Sequence, residues 1–204
     1  MEKIYGDKPQ QDVIVEKPVV DSSADKYTEI IHGINLDDSI VYLIGEISEY
    51  TFYDLCTKCR TLLRERPEEL SQEPITIVLN SSGGCMFEMF AIIDYIQSLK
   101  VKVNVIVRGQ AMSAAGMILA CATGSRICSK HSTIMLHQPS GGHNGKNSDI
   151  QASADQYKKM EEDALVLLAK STNKDVDWWR GNTKTDMFVS AEEALELGLI
   201  DLIG

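Results

Sequence analysis

No apolar run in this 204-residue sequence approaches the ~18 residues that a membrane-spanning helix requires. The stretch from Met1 to Val20 is too polar to contain a secretory h-region, so the sequence predicts a soluble, cytoplasmic protein. Basic residues are also scarce: 20 Lys and Arg face 30 Asp and Glu, a formal charge of −10. Phosphate contacts need clustered cations, which argues against nucleic acid or an anionic membrane as partner. Five cysteines, an odd number with no framework spacing, suit a reducing compartment rather than disulfide stapling. Cys56 and Cys59 could supply two metal ligands, but no second Cys or His pair at ligand spacing completes a site. Neither a metal nor a cofactor is expected.

What is present suits one globular domain with a substantial core, since 44% of residues are hydrophobic and 25% charged. Residues 1–25 are rich in Lys, Asp, Glu, Gln and Pro without sustained period and read as a mobile arm or loop ahead of a domain over 26–204. Ile40-Val41-Tyr42-Leu43-Ile44, ending at Gly45, reads as a buried strand, followed by helical spacing from about Thr51 to Arg64. Ile75-Thr76-Ile77-Val78-Leu79 predicts a second strand, Ser81-Ser82-Gly83-Gly84 a turn, and Met86 to Leu99 a second helix. Val101, Val103, Val105 and Val107 then alternate with polar residues at strand period. Ala114 to Ala122 reads as a buried helix, with short strands near residues 126–128 and 133–136. Ile150, Ala154, Tyr157, Met160, Ala164 and Leu168 mark a long amphipathic helix with Ser148 or Asp149 available as its cap, and a last helix covers about Ala191 to Leu197. The rhythm is α/β.

Three places carry chemistry that packing alone leaves unexplained. In Gly109-Gln110-Ala111-Met112-Ser113-Ala114-Ala115-Gly116 a serine follows a strand and opens a helix, where unpaired N–H groups can stabilise an oxyanion. Ser113 alone could equally be an N-cap. The Gly-x-Ser-x-Gly elbow is absent here, which weakens an α/β-hydrolase reading. His137 ends the apolar run Met135-Leu136 just before Gln138-Pro139, a position that holds one side of a ring and opens the other. Taken singly it could also be a structural histidine, while His32, His131 and His143 read as structural or exposed. Asp186 precedes Met187-Phe188-Val189 and a capping box of Ser190 with Glu193, so it could be buried against an imidazole or simply be solvated. Asp149 is the competing carboxylate, with a structural task at a helix start.

These three segments, with Asn80-Ser81-Ser82-Gly83-Gly84, Gly141-Gly142 and Gly198-Leu199-Ile200-Asp201, resemble the caseinolytic protease proteolytic subunit (ClpP) family in order and spacing over about Ile40 to Ile203. The resemblance implies a crotonase/ClpP-like fold of stacked ββα units with a protruding handle helix. It implies Ser113 as nucleophile, His137 as general base and Asp186 as its partner. The N–H groups of Gly84 and Ala114 become the oxyanion hole, and Gly83, Gly141 and Gly142 border the substrate. It further implies a homo-oligomer of stacked heptameric rings that cleaves unfolded proteins and peptides in an internal chamber, with an AAA+ unfoldase as possible partner. A strand beside the substrate would come from the glycine-rich run around Gly141.

Several positions depart from that family pattern. Ser82 stands where proline is usual, and Met187 where a ring-joining arginine is common. Thr76 and Val78 replace aromatics of the unfoldase-docking pocket, and the amino-terminal segment matches poorly. Two alternatives follow: a virus-type maturation protease working without an unfoldase, and a catalytically silent ring scaffold. An acyl-CoA enzyme of the crotonase class would share the fold without needing the Ser, His and Asp set.

Overall fold

The computed structural model describes residue 29 and residues 31–204, so the arm expected over residues 1–25 lies outside the described residues. Strand β1 (Ile34–Asn35) pairs antiparallel with β2 (Ile40–Ile47). Parallel strands β3 (Ile75–Gly84), β4 (Val103–Met112) and β5 (Arg126–Cys128) extend the sheet, and the C-terminal β8 (Leu202–Ile203) closes it beside β5. A branch leaves at the far end of β4: residues 105–107 pair with β5, whereas residues 110–112 pair with β6 (Thr133–Leu136). Antiparallel to β6 lies β7 (Met187–Val189).

Parallel neighbours cannot be joined by tight turns and need crossovers, which helices α1 (Glu49–Glu65), α2 (Met86–Ser98) and α3 (Ala114–Ala120) provide. Ile75, Ile77 and Leu79 of β3 and Val103, Val105 and Val107 of β4 are wholly buried at period two. Ser48 caps α1 by accepting the Thr51 N–H, and Leu55, Cys59 and Leu62 form its buried stripe. Every residue of α3 is buried, which explains why that helix is built of Ala, Gly, Met, Ile and Leu. Gly116 is needed there because a Cβ would come within 2.9 Å of Leu136 Cδ2 and 3.2 Å of the Met135 carbonyl oxygen. The mixed α/β architecture of stacked units expected from the sequence is the one observed.

The long helix α4 (Asn147–Ser171) has 25 residues and so extends about 37 Å. Its first half is mostly exposed, and Met160, Leu165 and Leu168 bury only the second half, so it stands out as a handle. Its start differs from the expectation: Lys146 occupies the cap position with no side-chain hydrogen bond, and Ser148 and Asp149 fall inside the first turn. Short α5 (Val176–Asn182) follows, with Trp179 fully buried and its Nε1–H donated to Thr172 Oγ1 at 2.9 Å. Helix α6 (Ala191–Leu197) carries the expected Ser190–Glu193 capping box and ends at Gly198 with φ 72°. Arg126 fastens this C-terminal region, donating to the Ser171 and Gly198 carbonyl oxygens at 2.6 and 2.7 Å and pairing with Asp201.

Two boundaries also depart from expectation. β2 runs through Gly45 to Ile47, and Asn80 to Gly84 form the end of β3 rather than a separate turn. In both β2–β3 and β3–β4 the register shifts there, between Ile44 and Glu46 and between Leu79 and Ser81. Such irregularities let a strand bend while continuing to pair, which a sequence pattern reads as a break.

Candidate active site

Four segments converge at the branch of the sheet: the end of β3, the β4–α3 junction, the end of β6 and the entrance to β7. Ser113 sits between β4 and α3 with φ 54° and ψ −120°, a conformation that non-glycine residues rarely adopt. Strain of this kind costs about 1–3 kcal/mol and persists only where surrounding packing dictates it. Here the Ser113 N–H donates to the Met135 carbonyl oxygen at 2.7 Å, and buried α3 fixes the following residues. The result is a sharp strand-to-helix turn that projects the hydroxyl, made by small neighbours in place of the Gly-x-Ser-x-Gly pattern.

His137 follows the last residue of β6, which pairs in parallel with β4, and its ring reaches back so that Nε2 lies 2.8 Å from Ser113 Oγ. Its other nitrogen, Nδ1, is 3.4 Å from Asp186 Oδ1. Asp186 directly precedes β7, whose antiparallel pairing with β6 brings Leu136 opposite Met187 and so carries the acid to the ring. The backbone tightens this link, since the Gln138 N–H donates to the Thr183 carbonyl oxygen at 2.6 Å. The Ser113, His137 and Asp186 side chains, 24 and 49 residues apart along the chain by their numbers, therefore meet in space. Asp186 is not the buried acid that was one expectation: its side chain is 58% exposed, because β7 is an edge strand of three residues. Asp149 lies in the first turn of α4 and accepts from Ser148 Oγ, away from this pairing.

The amides near Ser113 have distinct surroundings. The Ser113 N–H is committed to Met135, whereas Ala114 opens α3, where first-turn N–H groups have no intrahelical partner. Gly83 packs directly against this junction: a Cβ there would come within 2.5 Å of the Met112 carbonyl oxygen, 2.8 Å of Ser113 Cβ and 3.1 Å of the Ala114 nitrogen. Gly84 pairs with Ile47, whose carbonyl oxygen a Cβ would strike. The Gly83 N–H is held by buried Ser81 Oγ at 3.1 Å, a local bond that stiffens this bend. Gly141 and Gly142 lie exposed in a stretch without regular secondary structure, where Pro139 lacks an N–H and no strand forms.

Beside Ser113 and His137 opens a mostly apolar pocket formed by α2, α3, β6 and α4, lined by Met86, Met89, Met117, Leu136, Leu165 and Leu168. It was not foreseen, because each of these residues also fits the pattern of its own helix or strand. Glu161 also lines it, although the run Glu161-Glu162-Asp163 reads from sequence as a solvated face. Cys85 is exposed at the N-cap of α2, next to Gly84. Cys59 and Cys121 are buried, and burial pushes their thiols up to about 12 and about 11, which keeps them protonated and unreactive. His32, His131 and His143 are exposed.

A strained, serine-bearing turn on stacked parallel α/β units thus stands beside a mostly apolar pocket. The chain matches the family model for Clp protease over residues 23–204 and belongs to that family, making it a peptidase of the ClpP type.

Proposed function

We propose that this chain is a serine endopeptidase in which Ser113 is the nucleophile, His137 the general base and Asp186 the carboxylate that orients it. The 2.8 Å separation of His137 Nε2 and Ser113 Oγ at a strained turn is the observation that carries this reading. Ser113 Oγ attacks the peptide carbonyl carbon as its proton passes to His137 Nε2. The carbonyl oxygen becomes an oxyanion, held by the N–H groups of Ala114 and Gly84. Collapse of this intermediate breaks the C–N bond, and His137 returns the proton to the departing amine. Water then attacks the acyl-serine with His137 again as base, releasing the acid and restoring Ser113. Gly83, Gly141 and Gly142 border the substrate backbone.

Membership of the Clp protease family supports a wider setting for this reading. In this reading the peptidase domain spans residues 26–204, and α4 meets its counterpart between stacked seven-membered rings. Unfolded proteins and peptides are the substrates, delivered by an AAA+ unfoldase, with the cytoplasm as the compartment. The test is mass spectrometry after reaction with a fluorophosphonate: the expected adduct is on Ser113 and vanishes in Ser113→Ala with assembly intact. Labelling at another residue, or no labelling together with no peptide hydrolysis, would overturn this assignment.

A further inference from the structure

Glu161 faces the pocket beside Ser113 and His137, yet among the described residues its carboxylate makes no hydrogen bond or ion pair. Its neighbours are accounted for differently. Glu162 takes Arg180 Nη2 at 2.5 Å, Arg180 Nη1 is shared with Asp177 at 3.1 Å, and Asp163 is exposed. Neither Arg180 nor its two partners lines the pocket, so Glu161 is the one carboxylate among its lining residues. The opposite end is apolar. Glu161, Ala164, Leu165 and Leu168 of α4 all line the pocket at helical spacing, which puts Glu161 and Leu168 about 10 Å apart along the axis.

We propose that Glu161 makes this pocket select a substrate residue with a long apolar stem and a cationic tip, lysine above all, at the position before the scissile bond. This rests on Ser113 being the nucleophile, since a pocket touching both Ser113 and His137 receives the side chain of the residue whose carbonyl is attacked. Four methylenes lie along the methionines and leucines while the ammonium reaches the carboxylate, an arrangement that long basic side chains favour. Methionines suit such a stem because they adapt to its shape. A purely apolar side chain of the same length leaves Glu161 facing no partner, and an acidic one meets a like charge.

The test compares three fluorogenic peptides that differ only in carrying lysine, norleucine or glutamate before the scissile bond. Norleucine matches the lysine stem without its charge. The expected kcat/KM for lysine exceeds that for norleucine by about fivefold at low salt, a size suited to a partly exposed ion pair, and glutamate is poorest. In Glu161→Gln the lysine-to-norleucine ratio collapses towards one, and in Glu161→Lys the order of lysine and glutamate inverts. Each ratio is internal to one variant, so a loss of assembly that slows all three peptides alike does not imitate this result. For the unaltered chain, raising the salt concentration lowers the same ratio, a readout that survives if neither variant folds. Cleavage of the norleucine peptide with equal or better efficiency than lysine, or a ratio unmoved by Glu161→Gln or by salt, overturns the role of Glu161 alone. A chain that cleaves none of the peptides and takes no label at Ser113 overturns the peptidase assignment, and this selectivity with it.

Discussion

Gly83 lies so close to Ser113 that a Cβ at position 83 would stand 2.8 Å from Ser113 Cβ. The same atom would press on the Met112 carbonyl oxygen and the Ala114 nitrogen, and its backbone φ of +89° already disfavours a side chain. Gly83→Ala must therefore displace either the end of β3 or the turn that carries Ser113. Peptide hydrolysis is expected to fall by about 100-fold or more, comparable to loss of an oxyanion donor. Circular dichroism of the variant should remain that of a folded protein, and turnover within a few-fold of the original would mean that this contact does not set the position of the proposed nucleophile, Ser113.

Asp186 invites a quantitative comparison with triads whose acid is enclosed. Replacing a buried triad aspartate by asparagine lowers kcat by about 10⁴-fold, through the wrong imidazole tautomer. Here Asp186 is 58% exposed and 3.4 Å from Nδ1, so in the proposed triad water can take over part of its task. Asp186→Asn is expected to lower kcat by roughly 100-fold and leave KM close to its original value. Steady-state kinetics checks this, and unchanged kcat would direct attention to Asp149 as the alternative carboxylate.

Arg126 and Asp201 set an acid-sensitive part of stability. The hydrogen bond from the Arg126 guanidinium, together with the Arg126 N–H, holds the Asp201 carboxyl below its ordinary range against the opposing effect of burial. A carboxyl depressed in the folded state contributes stability above its unfolded value, about 3.9, which is lost as pH falls through the lower folded value. Asp201→Asn should therefore lower Tm at pH 7, and the difference from the original chain should close on acidification below about 3.9. Because the Asp201 side chain is 45% exposed, the effect at neutral pH is expected to be no more than about 1 kcal/mol. Thermal melts across that pH range measure it, and a gap that persists into acid would point to packing rather than charge.

Met187, on an edge strand beside exposed Phe188, stands where the resemblance to the ClpP family implies a ring-joining arginine in the proposed double ring. Without that cation, rings are expected to separate on dilution or in high salt, and Met187→Arg should shift the balance towards double rings. Sedimentation velocity at several protein concentrations decides the matter, since a double ring of the original chain that persists under both conditions would remove the basis for this expectation.

Much of the fold was legible because strand and helix periods differ. The alternating valines of β4 and the 3.6-residue stripe of α4 each state their element. The boundaries were less legible where pairing overrode local pattern. β3 keeps hydrogen-bonding through Ser81-Ser82-Gly83-Gly84 because neighbours on both sides accept it, although those four residues read as a turn. β1, β8 and α5 are too short to display a period and exist through what they pack against. The exposure of Asp186 likewise depends on which strand lies at the sheet edge, and Cys85 is exposed because it begins a helix at the surface.

Residue types and their order determined that a hydroxyl, an imidazole and an acid were available at strand ends, with glycines where bulk would intrude. Only the tertiary structure decided that they meet, because the approach of His137 to Ser113 depends on β4 changing partners from β5 to β6 midway along its length. The same holds for Glu161. Its charge is written in the sequence, but its place at a pocket wall arises from how α4 packs over α2 and α3, a contact between residues far apart in the chain. Local propensity acts over a few residues, whereas burial and pairing act between segments, and the chemistry resides where those segments join.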